Sequence, residues 1–190
     1  MYTVEMDIVG TKPIVFAKYV DAEDLPAEKG MKEWERLNKH YYLKAHTDDK
    51  GNVVMSPFAI RNCICTGAQK AGEKFKGMKT WAGVFKTGFS CPEEYPIKVN
   101  GKLIKGKDLK AWTKFLPQGV SGTGVKKTFP IIKDGWTVHV ILVIEDDIIP
   151  SKKVEEYAVL AGQRVGLGSF RKENNGIWGT FDVKNFKVRK

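Results

Sequence analysis

The segment from Ser151 to Lys187 constrains the fold more than any other part of the chain. Apolar or small residues recur three or four positions apart between Val154 and Val165, a spacing that predicts a helix with one buried face. The next residues are rich in glycine, and because glycine is costly inside regular structure, they predict a loop with special backbone angles or a close approach by another group. These five glycines fall within eighteen residues: Gly162, Gly166, Gly168, Gly176 and Gly179. The residues that follow predict a final strand.

Positive side chains lie beside these glycines. Arg164 precedes Gly166, and Arg171 and Lys172 follow Gly168. Exposed backbone amides and cations together can cradle a phosphate group, so these five residues are candidate binding residues. An ordinary flexible connection between a helix and a strand fits the same pattern, and the sequence leaves both interpretations open.

The residues from Gly162 to Val183, GQRVGLGSFRKENNGIWGTFDV, resemble the glycine-rich loop of the repeat-associated mysterious protein (RAMP) superfamily of CRISPR backbone and processing proteins. In that superfamily the loop joins the last helix to the last strand of a ferredoxin-like fold, and the proteins bind RNA. The same ending, with a start like that of residues 8–16, is also similar to a group of uncharacterised phage and prophage proteins. The resemblance implies nucleic-acid binding by subunits that assemble side by side.

The order of elements along the rest of the chain fits the same fold. Residues 3–8 alternate between polar and apolar and predict a first strand. Ser56 and Pro57 predict the start of a helix with a buried stripe from Ile60 to Phe75, after a shorter helix at 27–42. Residues 125–132 and 136–144 predict a hairpin. With the closing helix and strand, the order is βαββαβ, which predicts a single α+β, ferredoxin-like (RRM-like) domain over residues 1–190.

Residues 77–124 interrupt this order with many glycines and prolines. We expect them to form an inserted, basic and aromatic-rich subdomain containing one hairpin that turns at Asn100-Gly101. Residues 67–127 hold thirteen Lys and Arg against four Asp and Glu, whereas the flanking regions are nearly balanced. Such segregation favours a polyanionic partner, although a lysine-rich solvated surface is the alternative.

The insertion interleaves cations with aromatic rings, a combination that suits single-stranded nucleic acid. Lysines can follow the phosphates while rings, Phe115 among them, stack on unpaired bases. Rings packed in a small cluster beneath the insertion are the alternative. The candidate residues in and beside the insertion are Lys74, Lys76, Lys79, Trp81, Lys86, Lys110, Trp112, Lys114, Lys126 and Lys127.

Other classes of protein find less support. Three cysteines without a C-x-x-C pair favour reduced thiols in the cytoplasm over a disulfide framework or a zinc site. The first residues predict no secretory signal, and the apolar run at 138–144 is too short to cross a bilayer. Gly101–Lys107 has the spacing of a P-loop, but Asp108 stands where Ser or Thr must bind magnesium. The sequence predicts no cofactor and no metal.

The sequence therefore predicts a cytoplasmic, non-enzymatic protein that binds single-stranded nucleic acid, and the resemblance to the RAMP superfamily implies homo-oligomers or filaments along the strand. The phage likeness favours single-stranded DNA in replication or recombination, and the CRISPR likeness favours RNA. Two alternatives stay open. One is a metal-independent endoribonuclease in which His40 is the candidate general acid or base, because processing nucleases of the resembled superfamily use histidine. The other is a viral inhibitor that mimics or caps a host CRISPR complex.

Overall fold

The computed structural model describes residues 1–77, 80–118 and 123–189, which form antiparallel sheets covered by helices. The helices are α1 (Glu33–Lys39), α2 (Pro57–Ala71), α3 (Trp81–Phe85) and α4 (Ser151–Arg164). The strands are β1 (Tyr2–Gly10), β2 (Ile14–Val15), β3 (Val54–Met55), β4 (Phe89–Ser90), β5 (Tyr95–Val99), β6 (Lys102–Leu103), β7 (Lys110–Gln118), β8 (Thr123–Ile132), β9 (Trp136–Ile144) and β10 (Phe181–Arg189).

The larger sheet has the strand order β10-β1-β9-β5-β3, with β4 and β6 pairing with β9 and β5. Strands β1 and β5 flank β9 and are joined through α2, and β9 is joined through α4 to β10, which lies beside β1. Two βαβ units are thus interleaved in one antiparallel sheet, the arrangement of a ferredoxin-like fold. The α+β class predicted from the sequence is confirmed.

One face of this sheet is the core, and α2 and α4 cover it. Alternate side chains of the central strands point into it because successive residues of a strand face opposite ways. The buried set on β1 and β9 is Val4, Met6, Ile8, Trp136, Val138, Val140, Leu142 and Ile144. The opposite face carries a polar cluster: His139 Nδ1 lies 2.8 Å from Asp7 Oδ1, and Asn185 Nδ2 donates to Asp7 Oδ2 at 2.7 Å. These hydrogen bonds lower the pKa of Asp7, with the Asn185 bond the larger cause.

A smaller sheet has the order β2-β8-β7, and it corrects part of the predicted topology. We expected residues 125–132 to pair with residues 136–144, but β8 pairs with β7 and β2 instead. The neighbour of β9 in the core is β5, which lies inside the segment 77–124 that we expected to be an insertion. The hairpin at Asn100-Gly101 does form, between β5 and β6, with φ of 50° and 80° at its two turn residues.

The helices also differ from the prediction in extent. Helix α2 ends at Ala71 because Gly72 adopts a left-handed conformation with φ of 66°. Phe75 therefore lies beyond the helix, and its ring contacts Trp81 at a centroid distance of 4.7 Å. The helix predicted over 27–42 is confined to α1 and a 3-10 turn at Tyr41–Lys44, and Trp34 on α1 is exposed. Within the described ranges, none of the helices combines the length and apolar character needed to cross a membrane.

Candidate functional site

A cleft of about 610 Å³ lies between the outer face of α2, the residue that follows α3, and the glycine loop, by which we mean residues 166–179. Three basic side chains from these three segments line it: Arg61 on α2, Lys86 after α3, and Arg171 in the loop. Glu173 is the acidic residue among its lining. The remaining lining residues are Asn62, Cys65, Thr66, Gln69, Ala82 and Asn174. The lining therefore has a net positive charge. Its uncharged residues on α2 form what we call the floor of the cleft: Asn62, Cys65, Thr66 and Gln69.

Arg171 is held in place by the loop itself. Its Nε and Nη2 donate to Glu173 Oε2 at 3.2 and 3.1 Å, and its Nη1 donates to the carbonyl of Gly168 at 3.1 Å. A guanidinium has five N–H donors, so two are left for a ligand. The pair is partly exposed, which lets an anion with better geometry compete with Glu173 for Arg171.

The second wall of the cleft is fixed in a similar way. Arg61 donates from Nη2 to the backbone carbonyl of Lys86, which ties the end of α3 to α2. The side chain of Lys86 is exposed. Cys65 lies between the walls, and burial raises the pKa of its thiol. The thiol is therefore neutral near pH 7 and adds no negative charge to the cleft.

The glycine loop uses several of its backbone amides to close on the protein, which differs from the predicted phosphate cradle. Leu167 donates to the carbonyl of Gly179 at 2.8 Å, and Ser169 donates to the carbonyl of Val15 at 2.7 Å. The amide of Gly166 donates to the carbonyl of Ala161, which lies in the last turn of α4. A Cβ on Gly168 would lie 2.6 Å from the carbonyl oxygen of Val15, so this close approach requires glycine. These amides are not available to a phosphate.

The other predicted cations of the loop lie at its edge. Arg164 and Lys172 are both exposed, and Lys172 Nζ donates to the carbonyl of Gln163 at 2.9 Å. Neither side chain lines the cleft. A smaller cavity of about 160 Å³ continues from the cleft beneath the loop and contacts Gly166 and Gly168, so these two glycines border the site through their backbone.

Two of the rings predicted to stack on bases are packed on other rings. Trp112 forms an aromatic cluster with Phe129, Phe170 and Trp178, with centroids 6.0, 5.2 and 4.6 Å away. Trp81 lies against Phe75 and 6.5 Å from the ring of Phe85. Both tryptophans are half-buried. Phe115, by contrast, is 68% exposed.

The aromatic cluster joins the hairpin of β7 and β8 to the glycine loop. Two of its rings come from the hairpin and two from the loop, and Lys114 Nζ lies 5.3 Å above the ring of Phe170. This contact places Lys114 beside the loop. The lysines of the hairpin are exposed and comprise Lys110, Lys114, Lys126 and Lys127. Lys114 and Lys127 are directly opposed in the register of the two strands.

The remaining predicted cations lie after the end of α2. Lys74 and Lys76 are exposed, and Lys76 Nζ lies 5.3 Å from the ring of Phe75. Neither lines the cleft. Lys79, also predicted as a binding residue, lies outside the described residues.

His40, the candidate catalytic residue of the endoribonuclease alternative, is engaged through both ring nitrogens. Nε2 lies 2.8 Å from Glu28 Oε1, and Nδ1 lies 3.2 Å from the hydroxyl of Tyr42. The side chain is 15% exposed and is not part of the cleft lining. This geometry is that of a residue fixing the end of α1.

Arg61 is the binding candidate that the sequence analysis missed. In the sequence, α2 is marked by its buried stripe and by the lysines after it, and neither feature points to its polar face. The available signal was the spacing of Arg61, Asn62, Cys65, Thr66 and Gln69, which lie on one side of a helix.

Comparisons with known proteins agree with the fold. No protein-family model matches the chain. No curated protein matches it either. Among solved structures, the chain is similar to a chain of the type III-B Cmr-beta complex bound to cognate target RNA, with a TM-score of 0.52 and 10% identity. The match covers all of this chain and 61% of the other, so this chain spans less than two thirds of that neighbour.

A second similar structure is a chain of a type IV-B CRISPR complex, with a TM-score of 0.51 and 9% identity. That match covers 98% of this chain and 90% of the other. Both neighbours belong to CRISPR complexes, which confirms the predicted resemblance to the RAMP superfamily at the level of the fold. The likeness to phage and prophage proteins stays a prediction.

Proposed function

We propose that this protein binds single-stranded nucleic acid without cleaving it, and that the cleft between α2 and the glycine loop holds the sugar-phosphate backbone. The observation that carries the proposal is the convergence of Arg61, Lys86 and Arg171 on one cleft from three separate parts of the chain. The fold likeness to chains of CRISPR complexes, one of them bound to RNA, supports a nucleic acid as the polyanion.

The hairpin of β7 and β8 extends the basic surface beyond the cleft. Lys114 and Lys127 face each other across the two strands, and like charges in directly opposed positions destabilise a sheet. A phosphate near this pair would relieve the repulsion. Because the aromatic cluster fixes the hairpin to the loop, we infer that a strand leaving the cleft passes over Phe170 toward these lysines.

The protein's own side chains set the expected salt dependence. Each phosphate neutralised on a single strand contributes about −0.7 to the slope of log K against log salt concentration. Replacing both Arg61 and Lys86 by Gln should therefore lower the magnitude of the slope by about 1.4, since two contacts are lost. Fluorescence anisotropy with labelled oligo-dT, oligo-U and a duplex, at salt concentrations of about 50 and 200 mM, measures both affinity and slope.

The matched control replaces Lys102 and Lys133 by Gln. Both lysines are exposed and neither lines the cleft, so the control variant loses the same net charge from other positions. We expect the control to keep most of its affinity. Equal losses in the two double variants would mean that binding reflects overall charge, and the cleft would then not be the site.

The same titration tests the finer parts of the proposal. A preference for oligo-dT supports a role in phage replication or recombination, and a preference for oligo-U supports a role with RNA. RNA cleavage that disappears on His40→Ala would establish the endoribonuclease instead. Weak binding to every oligonucleotide, with tight binding to a purified CRISPR complex, would favour the viral inhibitor. Light scattering with a long single strand would show whether copies assemble along it.

A further inference from the structure

The first turn of α2 carries an aromatic ring that the fold does not use. Phe58 follows Pro57 and is 72% exposed, whereas the buried face of the helix consists of other residues. Those residues are Ile60, Cys63, Ile64, Gly67 and Ala68. An exposed phenylalanine is ordinary when it stands alone, so its significance depends on what lies beside it.

The spacing of the helix places Phe58 in line with the floor of the cleft. Residues three and four positions apart are neighbours on a helix surface, and Phe58, Asn62, Cys65 and Gln69 follow these steps. The last three line the cleft. Four residues correspond to a rise of about 6 Å, so the ring stands one turn beyond Asn62 at the end of the floor.

The residues that line the cleft indicate what a ring at this position could contact. Its floor is neutral and offers amide groups from Asn62 and Gln69, while the cations stand on the two walls. A strand with its phosphates against the walls directs its bases toward the floor. An exposed ring at the end of such a floor is suited to stack on an unpaired base.

We propose that Phe58 is a base-stacking residue, which makes the cleft selective for unpaired nucleobases rather than for polyanions in general. This inference rests on the proposed function. The ring adds affinity through stacking and adds nothing to the salt dependence, because it carries no charge. Asn62 and Gln69 are the side chains within reach of the base edges on the same floor.

The test compares Phe58→Ala with Leu103→Ala, a control in which another exposed apolar side chain is removed from β6, outside the cleft lining and the proposed binding residues. The probes are a labelled oligo-dT and inorganic polyphosphate, which carries phosphates without bases. We expect Phe58→Ala to weaken oligo-dT binding about 5- to 150-fold, the range to which a stacking contribution of 1–3 kcal/mol corresponds. Polyphosphate binding and the salt slope should be unchanged, and Phe58→Tyr should restore affinity.

Photocrosslinking provides a readout that needs no variant. Trypsin cleaves after Lys50 and Arg61, and the peptide of residues 51–61 contains Phe58 as its single aromatic residue. A 5-bromouracil oligonucleotide should crosslink to this peptide of the wild-type protein. Crosslinks confined to other peptides would overturn the assignment.

The possible results separate the stacking role from the proposed function. If the wild type binds oligo-dT and Phe58→Ala binds it equally well, the stacking role is overturned and the proposed function is left intact. A loss as large in Leu103→Ala, or an equal loss for polyphosphate, also overturns the stacking role. If the wild type binds no oligonucleotide, the proposed function and the stacking role both fail.

Discussion

Lys44 offers a sharp test of the electrostatics of the structure, because it is a buried cation without a carboxylate among its described contacts. It is 5% exposed, and its Nζ donates to the carbonyl of Thr128 at 2.6 Å and lies 4.7 Å from the ring centroid of Phe129. Burial, and then the nearby charge of Lys127, lower the pKa of Lys44 from 10.5 to about 8.

The lowered pKa sets both the sign and the size of the effect. Between pH 8 and 10.5 the unfolded chain binds more protons at this residue than the folded chain, so the contribution of Lys44 to stability rises with pH in that window. Below pH 8 the full cost of burying the charge is present. The gap between the two pKa values corresponds to about 3 kcal/mol.

Replacing Lys44 by Met keeps the apolar stem and removes the charge. The variant avoids a cost of about 3 kcal/mol and loses a hydrogen bond worth about 1 kcal/mol, so we expect it to be about 2 kcal/mol more stable than the wild type at pH 7. The advantage should vanish at about pH 10, where the remaining cost of burying the charge equals the contribution of the lost hydrogen bond. Urea unfolding of both proteins at several values between pH 7 and 10 measures the difference directly.

The difference between the two proteins is the informative quantity, because tyrosines and other lysines titrate in both. Lys102→Met is the control: this lysine is exposed and does not contribute to the lowered pKa of Lys44, so its loss should change stability by less than about 0.5 kcal/mol. A wild-type-to-variant difference that stays constant from pH 7 to 10 would refute the reasoning. So would a variant that is less stable than the wild type at pH 7.

Three further predictions concern the loop and its surroundings. Glu173→Gln should raise oligonucleotide affinity about two- to fivefold at low salt, because it releases Arg171 from a surface ion pair worth about 0.5–1 kcal/mol. Fluorescence anisotropy measures this affinity, and weaker binding by the variant would contradict the prediction. Trp112→Ala should destabilise the protein by about 3 kcal/mol and speed hydrogen exchange in the hairpin and the loop together, whereas unchanged exchange would mean that the aromatic cluster does not join them. Gly179→Ala should prevent stable folding, since φ is 73° and the new Cβ would stand 1.9 Å from a loop carbonyl oxygen. The matched Gly51→Ala, with φ of 75° and open space around it, should cost only about 1 kcal/mol in thermal unfolding, and equal losses in the two alanine variants would refute the steric argument.

Local patterns in the sequence predicted those helices and strands that are determined by their own residues. The alternation in β1 and the apolar spacing of α4 reflect burial on one face, Ser56 and Pro57 mark the start of α2, and the structure has all three elements. The pairing of strands could not be predicted in the same way, because an alternating pattern indicates a strand without indicating which other strand it pairs with. Residues 133–135 have the composition of a hairpin turn, yet in the structure they lead from the smaller sheet into the larger one.

The same limit explains why only part of the candidate site was predicted from the sequence. Charge density along the chain located Lys86 and the hairpin lysines, and the glycine pattern located Arg171. Convergence in space is not encoded by spacing along the chain, so Arg61, from a nearly neutral third of the sequence, was not found. For Trp81 and Trp112 the sequence left stacking on bases and packing against protein both open, because composition does not tell a ring that packs against protein from one that faces solvent.

The inward use of the loop amides has a consequence for how this protein can change. Since Leu167 and Ser169 donate to the protein's own carbonyls, the loop needs no ligand to hold its shape. Contact with a ligand is left to side chains that stand on an independently stable backbone. Such a surface can acquire a new preference through single substitutions at its rim, and an engineer could exchange those residues without rebuilding the scaffold beneath them.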